Sequence, residues 1–309
     1  ARMSTMRYQH PDIMKFIRSK VGEDKKVLLL MRNGYGGGMD GEAVRTAAFQ
    51  NTNISVRLDD YFFEQLKKDG EVELKWIKSG EVAGKISAKR MLQEISYGSW
   101  RIGDPAVQYE SKIQEMHTAK NSGRINSSNP CSEYMFLDDT SCNLNSHNLS
   151  AYADEKGNFN TRDFSRGVFI STIAADIFND SASYPIEDIA MISPEFRTIG
   201  VGYAGLGTLL MRRGLAYDSD EGRALAGAIT ALMTGTVYEA SAEMAEKLGT
   251  FTHFEFNKRP MIEVMEKHRK NLEDVLWGNI SGDLKEAAYN SWNNVIQRGR
   301  EAGFRNAQA

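Results

Sequence analysis

The chain has 309 residues, 41% hydrophobic and 26% charged, with a formal net charge of −3 and an isoelectric point near 6.1. Ordinary composition excludes a disordered or fibrous protein, and the slight acidity excludes a basic field for gathering nucleic acid. No apolar stretch approaches the roughly 20 residues that span a bilayer, and residues 1–7 carry no signal-peptide pattern, so the reading is cytoplasmic, with no nucleic acid and no membrane as partner. Two cysteines, Cys131 and Cys142, are too few for a secreted disulfide framework and suit a reducing compartment.

In chain order, Pro11 and the spacing of Ile13, Phe16 and Ile17 predict a helix from about position 11. Lys26 to Met31 and Asn53 to Leu58 read as strands, with Asn33 to Gly38 between them as a flexible turn, since it matches neither phosphate-loop glycine pattern. Asp59 and Asp60 cap a helix to about Lys68, Val72 to Ile77 reads as a strand, and a helix runs from Ser87 to about Trp100. Pro105 to Tyr109 and Gly123 to Asn126 look extended. From Thr161 the pattern turns helical: Asp163 to Asn179, Tyr203 to Arg213, Ser219 to Leu248, Pro260 to about His268, and Asp283 to Gly303. No repeat or linker interrupts the chain, which reads as one continuous unit.

Chemistry concentrates between Ser122 and Asn143. Asn121, Ser122, Gly123, Ser127, Ser128, Asn129 and Pro130 discourage helix, so Cys131 is expected at a turn or loop tip. Asn129, Cys131 and Glu133 are spaced by two, which in extended chain points them to one side. A carboxylate beside a thiol disfavours the thiolate, yet leaves a thiol that reacts by losing a hydrogen atom unharmed. That favours radical chemistry over a cysteine hydrolase, which would also want a histidine base; none of His10, His117, His147, His253 and His268 is recognisably paired with Cys131. With no CxxC and no HxxxH, no structural zinc pattern is present and no metal ligand is assigned. On the Asn129, Cys131, Glu133 spacing alone, a turn with a buried cysteine and a capping asparagine is the favoured reading.

The stretch GRINSSNPCSEYMFLDDTSCNLNSHNL resembles the active-site region of ribonucleotide reductases, most closely the adenosylcobalamin-dependent class. NGYGGGMDGEAVRTAAFQNTNISVRLDDYF upstream and IGVGYAGLGTLLMRRGLAYDSDEGRALAGAITALMTG downstream also resemble that family, so the likeness covers essentially the whole chain. The resemblance implies an α/β fold, part of a ten-stranded α/β barrel with a central finger loop and a helix-rich second half, residues 1–309 forming its central portion. It implies that Cys131 becomes a thiyl radical taking the 3′ hydrogen of a ribonucleotide, that Glu133 is the base on the 3′ hydroxyl, that Asn129 holds the ribose hydroxyls, and that Cys142 belongs to a redox-active cysteine pair. Ser128 and Leu144 are implied substrate contacts. The implied cofactor is adenosylcobalamin, and the implied partners are the ribonucleotide, an external dithiol such as thioredoxin, and complementary flanking segments; a homodimer stays open. The second reducing cysteine, the N-terminal allosteric region, and the C-terminal phosphate-binding and redox-tail segments are expected outside this stretch, so that the chain works only with its flanks. His147 and Ala119 depart from the family's usual residues. The alternatives are a glycyl-radical enzyme, for which the C-terminal glycyl motif is missing here; the diiron-dependent class, which needs a radical-generating subunit; and a fragment that binds nucleotide or subunit without catalysis.

Overall fold

The computed structural model describes residues 2–278 and 280–309. They fold into two compact units, although no change in composition marks a boundary. Unit 1 holds residues 1–116 and 125–135, and unit 2 holds 117–124 and 136–309.

Unit 1 is built on a parallel sheet of three strands, β1 (Arg2–Arg7), β2 (Thr52–Leu58) and β5 (Ala106–Tyr109), in the order β1-β2-β5. Parallel neighbours need long crossovers, and helices supply them. The helix α1 (Ile13–Arg32) joins β1 to β2; α3 (Asp60–Lys67) and α4 (Ala88–Ile102) lie between β2 and β5. A four-residue helix, α2 (Glu42–Arg45), follows the glycine-rich turn. The expected cap at Asp59 is in place, its carboxylate accepting from Phe62 N–H, and the Ser87 hydroxyl caps α4 by accepting from Arg90 N–H. β2 reads as a buried run from Ile54 to Leu58, and the core gathers Ile13, Ile17, Val56, Leu58, Phe62, Met91 and Ile95 around it. The antiparallel hairpin of β3 (Glu71–Lys75) and β4 (Val82–Ser87) adds Val72.

Lys26 to Met31 is a correction: it is not a strand but the last turns of α1. Leu29 and Met31 are 61% and 41% exposed, so the apolar run fills no sheet. Helix once nucleated from Ile13 propagates through residues with good helix propensity.

In unit 2, β6 (Asn143–Asn148) and β7 (Ile199–Ala204) form a two-stranded parallel sheet. The connection between them carries α6 (Thr161–Ser181) and α7 (Glu187–Phe196). The short α5 (Glu110–Glu115) belongs to unit 1, whereas α8 (Leu206–Arg212), α9 (Asp220–Leu248), α10 (Phe254–Asn271) and α11 (Gly282–Glu301) complete unit 2. The 29-residue α9 is buried on nearly every side, as its alanines and glycines suggest. Gly235 lies so close to Ser291 and Trp292 that a β-carbon there would sit 3.0 Å from both. The Ser219 hydroxyl caps α9 by accepting from Gly222 N–H.

Two further expectations are corrected here. Tyr203 to Arg213 is not a single helix, because Tyr203 and Ala204 end β7 and a left-handed Gly205 (φ +83°) starts α8. α10 begins at Phe254, with Pro260 inside it. Among the described residues the strands form three separate sheets and close no barrel. No described helix is long and apolar enough to cross a membrane.

Candidate active site

After α5 the chain passes through residues 117–124 and returns to unit 1 at Ile125. From there to Met135 it has no regular structure, so its backbone groups need other partners. Side chains of unit 1 provide them. The Gln114 amide donates to Ile125 O (2.7 Å) and accepts from Ile125 N–H (3.4 Å), and the Thr5 hydroxyl donates to Asn126 O (3.1 Å). Buried Gln108, on β5, donates through Nε2 to the hydroxyls of Ser128 (2.7 Å) and Ser132 (3.1 Å). Ser128 Oγ donates in turn to Asn129 O (2.8 Å).

Between those two serines the chain turns sharply. Ser132 N–H donates to Asn129 O at 3.0 Å, which places Pro130 and Cys131 at the two central positions, Pro130 where its fixed φ suits a turn. Ser132 has φ +67°, a left-handed conformation that costs a side-chain-bearing residue on the order of 1–3 kcal/mol and persists only where its surroundings hold it. The expectation that Asn129, Cys131 and Glu133 share one side of extended chain is therefore corrected: Asn129 and Cys131 lie on a turn and Glu133 follows it. Cys131 is at its tip and exposed, Glu133 is exposed two residues on, and neither hydrogen-bonds or ion-pairs among the described residues. Asn129 is turned to the backbone, Oδ1 accepting from Tyr134 N–H (3.0 Å), which leaves its amide nitrogen to donate elsewhere. Ser128, read from sequence as a substrate contact, has its hydroxyl engaged with Gln108 and with Asn129 O.

The other two site residues belong to unit 2. Cys142 is half-buried and immediately precedes β6. Its neighbour Ser141 is held from both sides, Ser141 N–H donating to Ser193 Oγ at 3.0 Å and Ser141 O accepting from the Thr198 hydroxyl. Along β6 the faces alternate. Asn143, Asn145 and His147 turn inward, with Asn143 donating to Ala175 O of α6 at 3.2 Å. Leu144, Ser146 and Asn148 are exposed, Leu144 at 66%, so Leu144 is on the face open to a ligand.

The histidines are occupied elsewhere. His147 binds the Tyr152 hydroxyl (3.0 Å) and the Ser171 hydroxyl (2.9 Å), one at each ring nitrogen, and burial lowers its pKa. An imidazole with both nitrogens satisfied in an aromatic niche is a core residue, which accounts for a histidine at that position. His268 is stacked on Trp292 (5.3 Å). His117 is packed edge-on against Phe136, and burial pushes its pKa down to about 4. No histidine hydrogen-bonds Cys131 among the described residues.

His117 gives a pH prediction. Between about pH 6.5 and 4 the unfolded imidazole binds a proton that the folded one does not, so stability rises with pH there and is lost as pH falls. Between pH 7 and 5 this group removes about 2 kcal/mol. Denaturant unfolding at the two pH values checks it: His117→Phe is expected to lose about 2 kcal/mol less than the unsubstituted protein across that interval, and an identical loss in both would contradict the assignment.

The residues that sequence reasoning missed are the pins rather than the thiol. Gln108, Gln114 and Thr5 carry no motif, and Ser132 lies in the quoted stretch with no role assigned to it; Gln108 is buried on β5, and nothing local indicates what it meets.

The site thus presents an exposed thiol on a pinned turn with an exposed carboxylate two residues away. The family model for the ribonucleotide reductase barrel domain matches residues 1–309. Over its whole length the chain is 44% identical to a vitamin B12-dependent ribonucleotide reductase of Rhodopirellula baltica, of which it covers 30%, and 41% identical to one of Streptomyces coelicolor, of which it covers 32%. A vitamin B12-dependent ribonucleoside-diphosphate reductase of Thermoplasma acidophilum is 30% identical over 81% of the chain and 30% of its own length. The chain belongs to the ribonucleotide reductase barrel-domain family. It spans about a third of the length of these relatives.

Proposed function

We propose that this chain is the central segment of the catalytic barrel of an adenosylcobalamin-dependent ribonucleotide reductase, acting with flanking segments that complete a ten-stranded barrel around the Cys131 turn. The observation that carries the reading is Cys131 at the tip of a turn fixed on both sides, in a chain that matches the reductase family throughout.

In this reading Cys131 Sγ, having lost its hydrogen atom, takes the 3′ hydrogen of the ribose. The Glu133 carboxylate accepts the proton of the 3′ hydroxyl, and the Asn129 amide nitrogen donates to the ribose hydroxyls and keeps them in line. Replacing the 2′ hydroxyl, which leaves as water, by hydrogen consumes two electrons and two protons. Cys142, with a second cysteine from the flanking sequence, supplies them as the pair closes to a disulfide, and an external dithiol such as thioredoxin reopens it. Leu144 offers an apolar contact to the nucleotide on the open face of β6; Ser128 supports the turn and reaches the substrate at most through its backbone.

The fit to the cofactor is tested by the thiol that has to meet it. Cys131 is exposed and hydrogen-bonded to nothing among the described residues, so its hydrogen is within reach of a radical from outside, and Cys131 is the group of this chain that would face the cofactor. When bound, adenosylcobalamin supplies the initiating radical, the hard chemistry being the cofactor's and the orientation the protein's.

Glu133→Gln keeps the shape and removes the base. It is expected to lower kcat for anaerobic nucleotide reduction by about 10²- to 10⁴-fold with little change in KM, because the exposed side chain supports no part of the fold. Unchanged kcat would remove Glu133 from the mechanism.

A further inference from the structure

We propose that Gln108 is a positioning residue for Cys131, acting as a clamp that fixes the turn through the hydroxyls of Ser128 and Ser132. The inference rests on the reading of Cys131 as the radical site, and deepens it by naming what holds that thiol in place.

Gln108 is 2% exposed and projects from β5, whose neighbour β2 runs through the middle of the parallel sheet. A buried primary amide is costly unless its polar atoms are matched. Gln108 Nε2 spends both hydrogens on Ser128 Oγ (2.7 Å) and Ser132 Oγ (3.1 Å), the two hydroxyls that bracket Asn129, Pro130 and Cys131. Its Oε1 is buried with no hydrogen-bond partner among the described residues. The amide is thus directed entirely at the cysteine turn and is left incompletely satisfied by its surroundings.

The network continues into the backbone. Ser128 Oγ donates to Asn129 O, and the two serine hydroxyls lie 3.3 Å apart. Asn129 O also accepts from Ser132 N–H, the bond that closes the turn. One amide on a rigid strand therefore fixes the entry, the exit and the closing hydrogen bond of the turn, and it holds Ser132 at φ +67°. An ordinary buried glutamine would spread its bonds among unrelated groups. Here every partner is a neighbour of the reactive thiol.

Hydrogen-atom transfer depends on how the donor and acceptor atoms are held, and a displacement of about 1 Å at a reacting group can cost on the order of 10²-fold in rate. A loop alone would place the thiol less well than a loop tied to a sheet.

The test uses the intact polypeptide that contains this segment, unsubstituted and as Gln108→Met, Gln108→Glu and Ser132→Ala. Methionine has a similar length and no donor, whereas glutamate can accept from the serine hydroxyls. Two readouts are taken: alkylation of Cys131 by iodoacetamide under anaerobic conditions, with Cys142 in the same molecule as the reference, and kcat and KM for nucleotide reduction. The expected result for Gln108→Met is a severalfold rise in alkylation at Cys131 with Cys142 unchanged, and a fall in kcat on the order of 10²-fold at nearly constant KM. Gln108→Glu should recover part of both, and Ser132→Ala should shift both in the same direction as Gln108→Met. Unchanged alkylation and kcat in Gln108→Met would overturn the clamp, as would parallel changes at both cysteines with a lowered unfolding midpoint, the mark of general loosening. If Gln108→Met fails to fold, Ser132→Ala decides by the same two readouts. Absence of any nucleotide reduction by the unsubstituted enzyme would instead count against the reductase reading, and the alkylation comparison would still judge the clamp.

Discussion

Cys131→Ser is expected to reduce nucleotide reduction by about 10⁴-fold or more, down to the assay background, since in the proposed mechanism it removes the one atom that carries the bond-changing step. The substitution is nearly isosteric, and Cys131 is exposed and hydrogen-bonded to nothing among the described residues, so the fold and the turn should survive it. A serine O–H bond is too strong to yield its hydrogen to the same radical, so the hydroxyl does not substitute for the thiol. Activity assayed beside the unfolding midpoint separates the two effects: the midpoint is expected to stay in place while product formation disappears. A Cys131→Ser protein that still makes deoxyribonucleotide at a substantial rate would remove the radical cysteine from the account.

The largest effect on stability is expected at Arg197. This side chain is 5% exposed and bonds Asp176 through Nε and Nη2, both at 2.9 Å, and Asp180 through Nη1 at 2.6 Å. Burial opposes its charge, yet the bonds to Asp180 and Asp176 prevail and raise its pKa above the ordinary arginine value. Asn306 completes the cluster by donating to Asp176 Oδ1 (2.8 Å) and to Arg197 O (2.9 Å). Arg197→Ala would leave Asp176, 3% exposed, without its main countercharge. Breaking a buried pair from one side costs about 3–5 kcal/mol, which for a unit of this size lowers the thermal midpoint by about 10 °C. The residue also precedes Thr198, whose hydroxyl holds Ser141 beside Cys142, so the damage should reach Cys142. Calorimetry or circular dichroism checks the prediction. A midpoint within about 2 °C of the unsubstituted protein would show that Asp176 is satisfied without Arg197, and Arg197→Met combined with Asp176→Leu should restore much of the loss.

The Cys131 segment was legible as irregular chain because its Asn, Ser, Gly and Pro residues disfavour helix, and the strand at β2 because Asn53 to Leu58 alternates with β-branched residues. The caps at Asp59, Ser87 and Ser219 were readable for the same local reason: each is a side chain that serves its own next turn. What the sequence concealed is set by contacts far along the chain. β6 carries five polar side chains out of six, and β7 is half glycine and alanine, so neither resembles a strand until each pairs with the other. The run from Lys26 to Met31 looked like a strand because a short apolar stretch fits either period, and the preceding helix decided the matter. Asn129, Cys131 and Glu133 were assigned to a common side on an extended backbone, whereas the hydrogen bond from Ser132 N–H to Asn129 O folds that stretch into a turn. The clamp at Gln108 spans 20 and 24 residues of sequence, and no local pattern signals a bond of that kind.

The most direct test of the central claim is anaerobic reduction of ribonucleotides with adenosylcobalamin and a dithiol, run on this chain alone, on the chain joined to its flanking segments, and on the joined form carrying Cys131→Ser. The account predicts deoxyribonucleotide from the joined, unsubstituted form alone. Product that persists in Cys131→Ser, or none from any form under conditions where a vitamin B12-dependent reductase turns over, would contradict it.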